Sequence, residues 1–197
     1  MSPGPRGRPL VVATRNDHKL SELGEILTGF ELRPLPDEVE LPPEDAATFA
    51  GNALGKARAA REQTGAAALA DDSGIEAAAL GGRPGVYSAR FAGEGATDEA
   101  NLDLLLAELA EQEDRSVAYA CAIAFVDVDG SELVREGRCE GTLAEVPRGE
   151  GGFGYDPAFV PHEIADGRTM AELSAAEKHA ISHRGRAARA IAEAIGR

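Results

Sequence analysis

The chain has 197 residues, 43% hydrophobic and 27% charged, proportions that exclude a disordered chain and leave room for a sizeable core. Twenty basic against 34 acidic residues give a net charge of −14, which disfavours nucleic-acid binding at long range but leaves open a small phosphate ligand held by a few local cations. No apolar run reaches the roughly 18 residues of a membrane span, and the opening MSPGPRGRP lacks a signal peptide's apolar segment. Residues 1–9 therefore read as a flexible tail and residues 10–197 as a single α/β domain, cytoplasmic and without membrane contact.

In chain order, LVVAT (10–14) is a short β-branched strand, followed by a helix whose Leu20, Leu23, Ile26 and Leu27 share one face, with Asn16 or Asp17 as its cap. FELRPL is a weak second strand, and residues 45–65 read as an alanine-rich helix ending near Gly65. AAALA (66–70) leads into the acidic pair Asp71-Asp72, which is placed at a strand's end. After a glycine-punctuated loop (81–95), residues 97–112 form a helix capped by Thr97 with Leu102, Leu105, Leu106 and Leu109 inward. A hairpin over 116–147 turns at Asp129-Gly130. Its large residues Val117, Tyr119, Cys121, Ile123 and Phe125 alternate with alanines, which predicts a sheet covered on both faces with a close neighbour on the alanine side. Two short helices end the chain, one opened by the capping box SAAE (174–177) and one capped by Ser182 with Ala188, Ile191 and Ile195 inward. Cys121 and Cys139 make no zinc-ligand spacing, and Cys121 reads as a small buried hydrophobe.

Four stretches carry polar chemistry. TRNDHK (14–19) sits in a strand-to-helix turn, either an anion site at a helix N-terminus or an ordinary connector with solvated basic side chains. ADDSG (70–74) is either a metal-binding and proton-accepting carboxylate or a turn. GEGGFGYDP (149–157) matches G-x-G-x-x-G, but Pro157 and an extended run follow instead of the helix a dinucleotide fold needs. It is either a backbone approach to a flat ligand with Phe153 stacking, or a glycine-rich turn over the core. EKHAISHRG (177–185) brings Lys178, His183 and Arg184 together, as a base pocket or a solvated surface.

In this order the motifs VATRNDHKLSEL, TFAGNALGKA, ADDSG, LGGRPGVYSARFAG, TDEANLDLLL, GGFGYDPAF and AELSAAEKHAISHRG resemble the inosine triphosphate pyrophosphatase (Ham1-like) family in its bacterial dITP/XTP branch, from about residue 10 to the C-terminus. The resemblance implies an elongated mixed β-sheet flanked by helices, two lobes with the active-site cleft between them, and a homodimer. It implies Mg²⁺-dependent hydrolysis of ITP, dITP or XTP to the monophosphate and pyrophosphate, which clears these nucleotides from the pool. By position, Thr14, Arg15, Asn16, Asp17, His18, Lys19 and Lys56 would hold the triphosphate. Asp72 would be proton acceptor and metal ligand, Glu44 a second metal ligand, and Ser73 a substrate contact. Phe153, Gly154, Tyr155, Asp156, Lys178, His183 and Arg184 would enclose the purine. The chain departs from the family at Gly51, where a glutamate is common, at PPEDAATF around Glu44, where Glu-Thr-Gly often precedes Thr-Phe, and at Arg15, where glycine is frequent. The loss at Gly51 keeps open a second reading, a nucleotide-binding module without the chemistry.

Overall fold

The structure, a computed structural model, describes residues 9–196. The tail expected at residues 1–9 lies outside the described residues except for Pro9, which already opens the first strand. The elements are β1 (Pro9–Val12), α1 (Asp17–Ile26), β2 (Glu31–Pro34), α2 (Phe49–Thr64), β3 (Ala68–Ala77), α3 (Asp98–Glu108), β4 (Ser116–Val126), β5 (Glu132–Leu143), β6 (Phe159–Pro161), α4 (Ala175–Ile181) and α5 (His183–Ile195). The six strands form one mixed sheet in the order β2-β1-β3-β4-β5-β6. β1 is parallel to both β2 and β3, and β6 is antiparallel to β5.

By contacts the chain divides into two compact units. The first comprises the chain up to Asp72, residues 121–137 and the chain from Arg184 onward; the second comprises residues 73–120 and 138–183. In the first unit the strands bury both faces. Leu10, Val12, Leu69, Cys121, Ile123 and Phe125 pack with Leu23 of α1 and with Ala188 and Ile191 of α5. Val11, Ala13, Ala68, Ala70, Ala122 and Ala124 pack with Ala53, Ala57 and Ala60 of α2. Alanine against alanine lets α2 sit close to the strands, which is the neighbour the alternation in β4 predicts. In the second unit, Leu102 and Leu105 of α3 and Leu109 just after it meet Val117, Tyr119, Cys139 and Phe159 of the strands.

Local signals set most boundaries. Asn16 caps α1 by accepting from the Lys19 amide, Thr97 caps α3, and the capping box at Ser174 opens α4. Two expectations change. α2 begins at Phe49, not at residue 45, because the Thr48 side chain accepts the Gly51 amide and turns the preceding residues out of the helix. β3 runs through the acidic pair to Ala77, so Asp71 and Asp72 lie in mid-strand; a strand ordered between β1 and β4 is continued by its neighbours despite Ser73 and Gly74.

Candidate active site

Successive side chains of a strand leave on opposite faces. Asp71 therefore follows Leu69 toward α1 and α5, and Asp72 follows Ala70 toward α2. Asp71, fully buried, meets Lys19 Nζ of α1 at 3.3 Å and Arg184 Nε of α5 at 3.1 Å, both through Oδ2. Arg184 Nη1 donates to Glu22 of α1 at 2.6 Å. Burial alone would raise the Asp71 pKa, but the charges of Lys19, Arg184 and Lys56 hold it well below the usual carboxylate range.

On the other face, Asp72 accepts from Asn52 Nδ2 at 2.9 Å through Oδ2, and its Oδ1 lies 3.8 Å from Lys56 Nζ. Lys56 also pairs tightly with Glu44. Burial pushes the Asp72 carboxyl up; Lys56, Lys19 and the Asn52 amide offset that only in part, and neighbouring Glu44 adds to the rise. Lys56 is held protonated despite its burial by Asp71, Asp72 and Glu44. Burial costs the ionised Asp72 more than the Lys56 charge returns.

Glu44 and Asp72 thus converge on one cation, an ammonium here. Among the described residues no cluster of three or more His, Cys, Asp or Glu side chains would hold a metal unaided. Two converging carboxylates nevertheless fit Mg²⁺, which commonly takes one or two protein carboxylates and completes its shell with water and phosphate oxygens.

The turn before α1 is only partly what the sequence suggested. Thr14 Oγ1 accepts from the Asn16 amide at 3.1 Å, and Asn16 Oδ1 from the Lys19 amide at 3.1 Å, so both build the helix start. Asp17 and His18 are exposed in the first turn, where backbone amides suit an anion. Arg15 is a correction: its guanidinium donates to the carbonyls of Leu35, Pro36, Asp37 and Val39 at 2.9–3.2 Å. This planar fork spends both terminal nitrogens on backbone oxygens and so staples the segment after β2, a role the sequence did not suggest.

In the second unit Asp156 is a hub. Its Oδ1 accepts from Tyr119 Oη at 3.0 Å, and its Oδ2 from Lys178 Nζ at 2.6 Å and from the Phe153 amide at 3.0 Å. Gly152, at φ +70°, allows this: a Cβ there would lie 2.1 Å from Asp156 Oδ2. Lys178 Nζ sits 5.1 Å from the centre of the half-buried Phe153 ring. Tyr119 stacks on His183 with ring centroids 4.5 Å apart and on Phe159 at 4.3 Å. The structure therefore brings Phe153, Asp156, Lys178 and His183 together around Tyr119. Gly154 donates its amide to Asp98 at 2.8 Å. Ser73 continues β3, half-buried.

Three expected purine contacts change role. Asp156, with three donors on its carboxylate and 3% exposure, organises its neighbours and is not an open acceptor. Tyr155 is buried in the core and donates to the Ser88 carbonyl at 2.7 Å. Arg184, 2% exposed, commits Nε and Nη1 to Asp71 and Glu22 within the first unit.

Sequence reading missed Asn52, Tyr119, Glu22 and Asp98. Asn52 carried a signal, since it stands four residues before Lys56 on one helical face. Tyr119 carried another, because a phenol inside a buried strand needs a polar partner.

A mixed-sheet α/β protein with two carboxylates converging on a lysine and an aromatic-lysine cluster around a buried aspartate belongs among enzymes that handle phosphorylated ligands. The chain belongs to the Ham1 family, whose model matches residues 10–194. It is 50% identical over 196 residues to the dITP/XTP pyrophosphatase of Mycolicibacterium paratuberculosis, with 95% of each chain covered. A solved HAM1 protein from Coxiella burnetii superposes with a TM-score of 0.85 at 41% identity, covering 96% of this chain and 98% of that one. A nucleoside-triphosphatase / dITP/XTP pyrophosphatase structure from Mycobacterium abscessus gives 0.73 at 47% identity, over 93% of this chain and 98% of that one.

Gly51, where the resemblance implies a glutamate, lies in the cap of α2. Position 51 is the third residue of α2, and its amide is held by Thr48 Oγ1. A glutamate there is the second half of a capping box. Its absence leaves the Asp72, Glu44 and Lys56 group whole.

Proposed function

We propose that this protein is a Mg²⁺-dependent pyrophosphatase of non-standard purine nucleotides, converting dITP, XTP or ITP to the nucleoside monophosphate and pyrophosphate and so keeping them out of DNA and RNA. The observation that carries this reading is the convergence of Asp72 and Glu44 on Lys56 Nζ. It supplies a buried carboxylate of raised basicity, a second carboxylate and a cation at one point.

In the reaction, water attacks at the α–β phosphoanhydride, the bridging P–O bond breaks, and pyrophosphate leaves with the bridging oxygen. Asp72 accepts the proton lost by the water, a role suited to a carboxyl whose burial makes it more basic than usual. Lys19 and Lys56 neutralise the charge that builds on the leaving pyrophosphate, and the amides of the first turn of α1 receive phosphate oxygens. A Mg²⁺ held by Glu44 and Asp72, when bound, would act as Lewis acid on the phosphates and template for the chain. Ser73 is assigned a substrate contact, as the family resemblance implies.

The purine is assigned to the second unit's cluster. The Phe153 ring offers a stacking face, and Lys178 and His183 offer donors to a 6-keto oxygen. Adenine presents an amino donor at that place, and a donor facing a donor leaves both unpaired, at about 1–3 kcal/mol per group. The working unit is proposed to be a cytoplasmic homodimer, with residues 10–197 as one domain.

The binding-only alternative draws on Gly51 alone. The deciding experiment is pyrophosphate release from dITP, XTP, ITP, ATP and GTP with and without Mg²⁺. We expect Mg²⁺-dependent turnover of the first three and poor turnover of ATP and GTP. Comparable kcat/KM for ATP and ITP would overturn the base assignment, and binding of dITP without pyrophosphate release would favour the module.

A further inference from the structure

We infer that Asn52 is a positioning residue that sets where Glu44 stands relative to Asp72, an inference that rests on the metal assignment proposed above. Asn52 is 4% exposed in the first turns of α2. A buried primary amide is unfavourable unless its donor and acceptor are both used, and asparagine is a poor helix former, so a reason for its presence is needed. Both ends are used. Nδ2 donates to Asp72 Oδ2 at 2.9 Å, and Oδ1 accepts the amide of Ala46 at 2.9 Å. The partners fix the orientation of the amide, since only the donor end suits a carboxylate and only the acceptor end suits an N–H.

The consequence reaches both metal carboxylates. By occupying Oδ2, Asn52 orients the Asp72 carboxylate with Oδ1 toward Lys56, the group Glu44 also meets. By holding the Ala46 amide, it fixes a stretch that carries Glu44 two residues earlier and has no helix or strand of its own. Lys56, one turn further along the same face, supplies the charge, while Asn52 supplies the spacing. Outer partners of this kind typically govern metal affinity or activity by about 10–100-fold.

The test is Asn52→Ala, with Asn52→Ser as the second variant, because its hydroxyl keeps a polar group in the buried site while ending about one bond short of the atoms that reach Asp72 and Ala46. The half-saturating Mg²⁺ concentration for dITP hydrolysis should rise by about 10–100-fold in both variants. KM for dITP at saturating Mg²⁺ should change by less than about threefold, a split a merely structural role would not produce. Independently of turnover, Mn²⁺ binding to protein filled with the α,β-imido analogue of dITP, followed by electron paramagnetic resonance, should weaken by the same factor. Should Asn52→Ala fail to fold, the Asn52→Ser measurements decide alone. Wild-type-like Mn²⁺ affinity and Mg²⁺ dependence in the folded variant would overturn the inference while leaving the proposed function standing. A wild-type protein that needs no Mg²⁺ and binds no Mn²⁺ would overturn both.

Discussion

Asp71 and Asp72 are neighbours in the chain, but the strand's alternation gives them different partners and opposite dependences on pH. Asp71 lies between Lys19 and Arg184 and is held ionised, so its stabilisation is present above the ordinary carboxylate pKa and is lost as pH falls through its lowered folded value. Asp72 is raised by burial, so its ionisation opposes folding: its favourable contribution is present below the ordinary carboxylate pKa and lost as pH rises through the raised folded value. Two substitutions should therefore behave oppositely. Asp71→Ala leaves Arg184 its Glu22 partner but removes the buried carboxylate it shares with Lys19, and should destabilise by about 3–5 kcal/mol at pH 7. Asp72→Asn should abolish pyrophosphate release yet raise the melting temperature of the metal-free protein at pH 7, with the gain shrinking as pH falls toward 4. Melting curves at several pH values, beside a turnover assay, check both; near-normal turnover of Asp72→Asn would remove it from the chemistry.

At the scale of elements, α2 and the segment before it are fitted to each other. A Cβ on Gly51 would lie 2.8 Å from Ala46 Cβ and 3.2 Å from Thr48 Oγ1. Gly51→Ala gains up to about 1 kcal/mol of helix propensity but overpacks the contact by about 1–3 kcal/mol, so it should be neutral to destabilising. Ala46→Gly removes the obstructing methyl, and in its presence Gly51→Ala should become stabilising. A double-mutant cycle by denaturant unfolding should show a coupling of about 1 kcal/mol or more, and additivity would contradict the contact. Such fitting also marks where the sequence stops being readable. Caps at Asn16, Thr97 and Ser174, the alternation of β4 and the leucine face of α3 are local patterns and could be read directly. The extent of β3 could not, because Asp-Asp-Ser-Gly is turn chemistry that neighbouring strands override. Nor could the partners of Arg15 and Arg184, since carbonyls 20–24 residues away and an aspartate 113 residues away enter no window of sequence. The residue types of the site were therefore legible, but which charges are already spent inside the protein was not.

At the scale of the molecule, a net charge of −14 sets the terms on which a nucleotide arrives. The first unit's polar group does not reverse them: the carboxylates Glu22, Glu44, Asp71 and Asp72 outnumber the cations Lys19, Lys56 and Arg184 by one. The divalent ion proposed above would turn that group positive, and with it the group would work as a neutralised pocket and not as an electrostatic funnel. Long-range repulsion between an acidic protein and a triphosphate is screened by salt, whereas contacts inside a buried group are screened little. At saturating Mg²⁺, kcat/KM for dITP should consequently hold or rise as KCl goes from about 20 to 200 mM, where a basic channel would lose about tenfold or more. A series of initial rates at fixed free Mg²⁺ measures this. A steep fall would mean that cations beyond Lys19 and Lys56 guide the substrate, and would shift the search for them to the basic side chains left exposed on the second unit.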